Sequence, residues 1–196
     1  TLPGNVGLAV GPEVTYCRVR VTEPPSESWE GRGGAEVGEE LILAKELIGS
    51  VLRNHAEIVD EFTGAELVGK AYTPLFPGAI ERGDSKTAWT IVAADFVTTT
   101  DGTGVVHTAV MYGEDDYRLG MEVGFPAQHT VGMDGAFVEG THELLDGRYV
   151  KECDDEIINL LESQGLLYRE HDYTHDYPHC WRTDHPLLYY AMDRWF

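Results

Sequence analysis

The chain has 196 residues, a formal net charge of −20, 42% hydrophobic residues and 22 glycines. This suits one large or two small globular domains rich in turns, and it excludes a fibrous or disordered chain. No apolar run approaches the ~18–20 residues of a membrane span, and the acidic balance, taken alone, argues against a nucleic-acid partner because it repels a phosphate backbone. Three widely spaced cysteines, Cys17, Cys153 and Cys180, do not make a disulfide framework. They point to a reducing, cytoplasmic setting. The first residues lack the basic and apolar regions of a signal peptide, and a chain opening on Thr1 reads as a piece of a longer protein.

Leu2-Pro3-Gly4-Asn5 is a turn ahead of a short apolar run, Val6 to Val10. Val14 to Val21 alternates between two faces and predicts a strand. The stretch 22–40 is rich in Pro, Gly, Ser and Glu and reads as a surface loop. Leu41 to Ala44 predicts a short strand, and Lys45 to Arg53 a helix with Leu47, Ile48, Val51 and Leu52 on one stripe. His55 to Phe62 is a further strand, and the prolines of Tyr72-Thr73-Pro74-Leu75-Phe76-Pro77 make that segment an edge or a loop. Lys86 to Val97 is the longest β-like run.

Glu114 to Gly124 predicts a helix, with Tyr117 and Met121 one turn apart. His129 to Val131 is a short strand. Asp154 to Gln164 is an amphipathic helix that buries Ile157, Ile158, Leu160 and Leu161 and is closed by Gly165. Leu166 to Tyr168 and Leu187 to Ala191 read as strands, the latter within an aromatic-rich end, 173–196. Strands outnumber scattered helices, so the expected class is mixed α/β, a barrel-like sheet core with peripheral helices.

Two motifs are set aside on their chemistry. Gly64 to Lys70 has the spacing of a phosphate-binding loop, but Ala71 stands where a hydroxyl must hold Mg²⁺, so a turn is the better reading. His175, His179, Cys180 and His185 suggest zinc, but Pro178 interrupts the helical spacing, and no metal site is assigned. The chemistry concentrates instead in Gly102-Thr103-Gly104-Val105-Val106-His107 and Tyr112-Gly113-Glu114-Asp115-Asp116. An imidazole closes a strand, and nine positions later a carboxylate lies in the first turn of a helix. Acids there also favour the helix dipole, and a lone histidine can simply be a core residue. Residue chemistry alone leaves both accounts open.

This pair of segments resembles the central motif of the editing domain, an insertion called connective polypeptide 1, of isoleucyl-tRNA synthetase, a class I aminoacyl-tRNA synthetase. Thr1-Leu2-Pro3-Gly4-Asn5 resembles the end of that family's threonine-rich motif. Glu66-Leu67-Val68-Gly69 with Tyr72 to Pro77 resembles its middle segment. Tyr177-Pro178-His179-Cys180-Trp181-Arg182 resembles its exit toward the catalytic domain. The resemblance thus implies one editing domain over 1–196, with 173–196 as the exit segment, and the fold shared by the valyl, isoleucyl and leucyl editing domains. It also implies hydrolysis of mischarged valyl-tRNA(Ile), and of valyl-adenylate as a further substrate.

In that reading His107 and Asp116 are catalytic: Asp116 faces the substrate ammonium and His107 holds water. Thr1, Asn5, Thr103, Tyr112, Gly113 and Asp116 bind substrate. No metal and no cofactor is implied within the domain; ATP belongs to the parent enzyme. The partners are the tRNA 3′ end and the rest of the synthetase, with no membrane. The alternatives are an editing domain of a valyl or leucyl enzyme, and an inactive module that only binds the tRNA end. The chain departs from the family at Val110, where relatives often have Pro, and at Thr183, in place of the second cysteine of a zinc pair.

Overall fold

Two three-stranded sheets carry the molecule in a computed structural model that describes residues 1–23, 32–53, 55–170 and 176–192. The first sheet has β1 (Gly7–Val10) at its centre, parallel to β5 (Thr90–Ala93) and antiparallel to β6 (Val105–Thr108). Its register places Leu8 opposite His107 and Gly7 opposite Thr108. Val6, Ala9, Val92, Val110, Leu119 and Phe125 form the core beneath it. Gly7 is needed there, because a Cβ at that position would sit 2.1 Å from the Phe125 ring.

The second sheet is antiparallel, with β2 (Thr15–Val21) between β3 (Glu40–Ala44) and β4 (Ala56–Thr63). Tyr16, Cys17, Val19 and Val21 are buried, while Arg18 and Arg20 face outward. Each arginine meets acids on both flanking strands, Glu40 on one side and Asp60 or Glu57 on the other. Exposed pairs of this kind add little stability, but opposite charges across a strand favour one register. The Ala44 N–H bonds the Thr103 carbonyl at 2.8 Å and ties the end of this sheet to the loop that opens β6.

Helix α2 (Glu114–Val123) ends at Gly124 in the left-handed region, φ 78°, the usual helix stop. Helix α3 (Asp154–Ser163) buries Ile157 and Leu161 against Phe76, Leu145 and Cys153. The stripe at 45–53 divides into a 3-10 turn, Lys45–Leu47, and a short α1, Ile48–Leu52.

The mixed α/β class is as expected, but among the described residues the sheets do not close into a barrel. The long run from Lys86 is broken at Trp89, whose φ of 57° belongs to a turn, and only Thr90–Ala93 pairs as a strand. The expected strands at 129–131, 166–168 and 187–191 do not form. At 129–131 only an isolated bridge, Val131 to Phe137, is present. Leu167 and Ala191 instead make single backbone bonds, to Gly34 and Met111. His175 and the start of the exit segment lie outside the described residues.

Candidate functional site

The antiparallel pairing of β6 with β1 carries His107 under the segment that leads into β1. A 3-10 turn at Leu2–Gly4 folds Thr1 and Asn5 back over the imidazole. The Thr1 hydroxyl lies 3.1 Å from His107 Nε2, and the Asn5 amide nitrogen lies 3.4 Å from Nδ1. Asn5 also donates to the Gly7 carbonyl at 2.9 Å and accepts from the Tyr72 hydroxyl. Burial lowers the His107 pKa to about 4. The ring is therefore neutral at physiological pH.

Asp116 sits in the first turn of α2 and accepts a bond from the Ala109 backbone, two residues past His107. Burial raises its pKa, and neighbouring Asp115 adds to this. Its carboxylate packs on Gly113, where a Cβ would stand 2.6 Å from Oδ2. Gly113 has an ordinary extended φ of −153°, so space for Asp116, and not backbone freedom, is what calls for glycine there. Glu114 and Asp115 are exposed, and Glu114 pairs with Arg118 one turn on.

The structure therefore brings Thr1, Asn5 and His107 into direct contact and places Asp116 on the backbone that follows His107. Among the described residues no hydrogen bond joins Asp116 to the other three. Two concave regions flank the cluster. A cavity of about 170 Å³ is lined by Thr1, Tyr112, Lys151, Asp154, Tyr177 and Tyr190. A wider groove of about 700 Å³ takes in Leu2, Thr103, Ile157, Leu161 and Tyr168. His107 and Asp116 line neither one.

Tyr112 turns its ring toward the smaller cavity, while its oxygen accepts from the Thr130 and Val131 N–H groups at 2.7 and 2.9 Å. Thr103 keeps its hydroxyl near Val105, at 3.4 Å. Tyr72 is the residue that sequence reasoning assigned no role. It lies in an irregular, proline-flanked segment, 67 positions from Asn5, where no periodic pattern signals a contact. Among the described residues no three His, Cys, Asp or Glu side chains are grouped to hold a metal. No described helix is long and apolar enough to cross a membrane.

No protein-family model matches the chain. Over its whole length it is 43% identical to an isoleucine–tRNA ligase of Clostridium novyi (strain NT) and 40% identical to one of Bacillus thuringiensis (strain Al Hakam). It spans 17% of the length of each. Among solved structures it is similar to GlLeuRS-CP1, with a TM-score of 0.58 and 13% identity over 87% of this chain and 80% of that one. It is likewise similar to the editing domain of the P. knowlesi cytosolic leucyl-tRNA synthetase, with a TM-score of 0.56 and 12% identity over 87% and 81%.

Proposed function

The chain is related along its whole length to a segment of the isoleucine–tRNA ligases and has the fold of leucyl-tRNA synthetase editing domains, and from that premise we propose that it is an editing domain that hydrolyses mischarged valyl-tRNA(Ile). The need for such a site is the general one for synthetases of small apolar amino acids. A missing methylene changes binding by only ~1–3 kcal/mol, so a second site must destroy the wrong product. The observation that carries the reading is the contact of Thr1 and Asn5 with His107 beside the α2 end that holds Asp116.

The substrate is an ester between valine and a ribose hydroxyl of the terminal adenosine. Water adds to the ester carbonyl, the bond to the ribose oxygen breaks, and that oxygen leaves with a proton from the attacking water. The ester is already reactive, so the protein's task is placement. Asp116 supplies an anion for the α-ammonium of valine. His107 and Thr1 place the water or the carbonyl oxygen. The unpaired N–H groups at the start of α2, after Gly113, suit an adenosine oxygen or a developing oxyanion. This chemistry asks for no cofactor. The rest of the synthetase binds the body of the tRNA.

The test is deacylation by the full-length synthetase. Asp116→Ala is expected to abolish release of valine from valyl-tRNA(Ile). Full retained activity refutes the role given to Asp116. Val-, Thr- and Ile-charged tRNAs tested side by side separate this assignment from a valyl or leucyl editing site, and inactivity on all three identifies a binding module.

A further inference from the structure

Asn5 is buried, 7% exposed, and every polar atom of its side chain is used inside the protein. Its nitrogen donates to the Gly7 carbonyl, and its oxygen accepts from the Tyr72 hydroxyl. The Gly7 carbonyl can only accept, so that bond fixes which end of the amide is nitrogen, and the Tyr72 hydroxyl then donates to the oxygen end. The nitrogen end faces His107 Nδ1. An amide N–H only donates, so Nδ1 is the bare, accepting nitrogen, and the ring proton resides on Nε2, toward Thr1. The second ring nitrogen sets the tautomer of the first.

We propose that Asn5 and Tyr72 are positioning residues that hold His107 neutral with its proton on Nε2, so that His107 enters the reaction as a hydrogen-bond donor and not as a base. The proposal rests on the deacylation reading above for its link to catalysis, while the tautomer itself stands on the hydrogen bonds alone. The donors run in one direction, from the Tyr72 hydroxyl to Asn5, from Asn5 to His107, and from His107 to Thr1. The Thr1 hydroxyl, having accepted, keeps its own proton to donate outward. Thr1 lines the cavity beside Tyr112, so the chain ends at a donor placed where a carbonyl oxygen or a water can meet it. The groups that bear on the ring's charge agree. Burial pushes the Tyr72 phenol well above its usual range, which keeps it a donor. Burial of the ring opposes an imidazolium.

The decisive measurement is the nitrogen NMR spectrum of the chain carrying 15N-labelled histidine. Wild-type His107 is expected to show a protonated Nε2 and a bare Nδ1 at neutral pH. Asn5→Asp replaces the donor with a group that only accepts, and should move the proton to Nδ1. Tyr72→Phe removes the bond that anchors the amide oxygen and loosens the side chain over the ring, and should yield a mixture of the two tautomers. A wild-type proton on Nδ1, or an unchanged tautomer in Asn5→Asp, overturns the proposal. If Asn5→Asp fails to fold, the wild type and Tyr72→Phe still decide, and an unaltered tautomer in Tyr72→Phe removes Tyr72 from the device.

Deacylation of valyl-tRNA(Ile) by the full-length enzyme supplies the second arm. Asn5→Asp should lower kcat at least tenfold with KM little changed. His107→Ala tests the underlying reading separately. Full activity in that variant, with the wild-type tautomer as stated, refutes the part of His107 in deacylation while leaving the tautomer assignment intact.

Discussion

The hydroxyl of Tyr16 donates to the carbonyl of Gly104 at 2.6 Å and accepts from the Gly11 N–H at 3.1 Å. Tyr16 belongs to β2 in the second sheet, and Gly104 immediately precedes β6 in the first, so this one phenol joins the sheet that carries the charged face to the strand that carries His107. Tyr16 is fully buried. Tyr16→Phe leaves a buried carbonyl and a buried N–H without that partner, and orphaned groups of this kind cost about 1–3 kcal/mol. The expected result is a loss of roughly 2 kcal/mol in urea unfolding. An unchanged midpoint would show that water replaces the hydroxyl.

The same contact explains what was legible in the sequence at this loop. Gly102 and Gly104 stand out as turn glycines, and both adopt positive φ, 71° and 77°. The close approach of Ala44, whose Cβ would meet a Cβ on Gly104 at 2.5 Å, is a tertiary fact that no local pattern contains. Alternation located β2 well because one of its faces is core and the other is charged. It failed at Lys86 to Val97, because Trp89 takes a left-handed backbone that β-forming residues do not advertise. It failed also at 187–191, an irregular stretch in which Leu187 and Tyr189 are exposed. His107 and Asp116 stood out as candidates through their motif, and their roles rest on the deacylation test. The contact of Tyr72 with Asn5 was not legible, since a hydrogen bond across 67 positions leaves no local pattern.

The low pKa of His107 has a consequence for stability. Its value is about 4 in the folded chain against 6.5 for the free side chain. Between these values the unfolded chain binds more protons than the folded one, so stability rises with pH across that window. The contribution is complete above about pH 6.5 and is lost as pH falls toward about 4. For a partly exposed ring it amounts to on the order of 2 kcal/mol. Carboxylates held below their usual range, such as Asp146 beside the His142 and Gly140 N–H groups, titrate in overlapping acid. The measurement is therefore the difference between wild type and His107→Gln, taken by urea unfolding at several pH values. The difference should shrink between neutral pH and pH 4, and a pH-independent difference contradicts the assignment.

Thr108 follows His107 and points to the opposite face of β6. It is fully buried, and its hydroxyl has no hydrogen-bond partner among the described residues. A buried, unpaired hydroxyl opposes folding. Replacing it by a methyl of nearly equal size should therefore help. Thr108→Val is expected to raise unfolding stability by about 1 kcal/mol and to leave deacylation by the full-length enzyme within twofold. A clear loss of stability would reveal a bound water or other partner for that hydroxyl.

On the proposed editing reading, the charge of the chain sets how it would meet tRNA. Fourteen basic residues stand against 34 acidic ones, and several of the arginines are already engaged. Arg18, Arg20, Arg32, Arg118 and Arg148 each pair with a carboxylate. Phosphate binding draws its affinity from counterions released from the nucleic acid, and a surface whose cations are neutralised in place has few charges with which to release them. The 196-residue chain by itself should therefore bind tRNA(Ile) with a Kd weaker than about 1 μM at ~0.15 M salt, and with a shallow salt dependence. On the proposed editing reading, the full-length synthetase should bind far more tightly, with its other domains holding the body of the tRNA and this one receiving the acylated end. Filter binding or fluorescence titration across a salt series distinguishes the cases. Tight, steeply salt-dependent binding by the chain alone would mean that its few free basic side chains form a phosphate track of their own, and that delivery by the rest of the enzyme is not required.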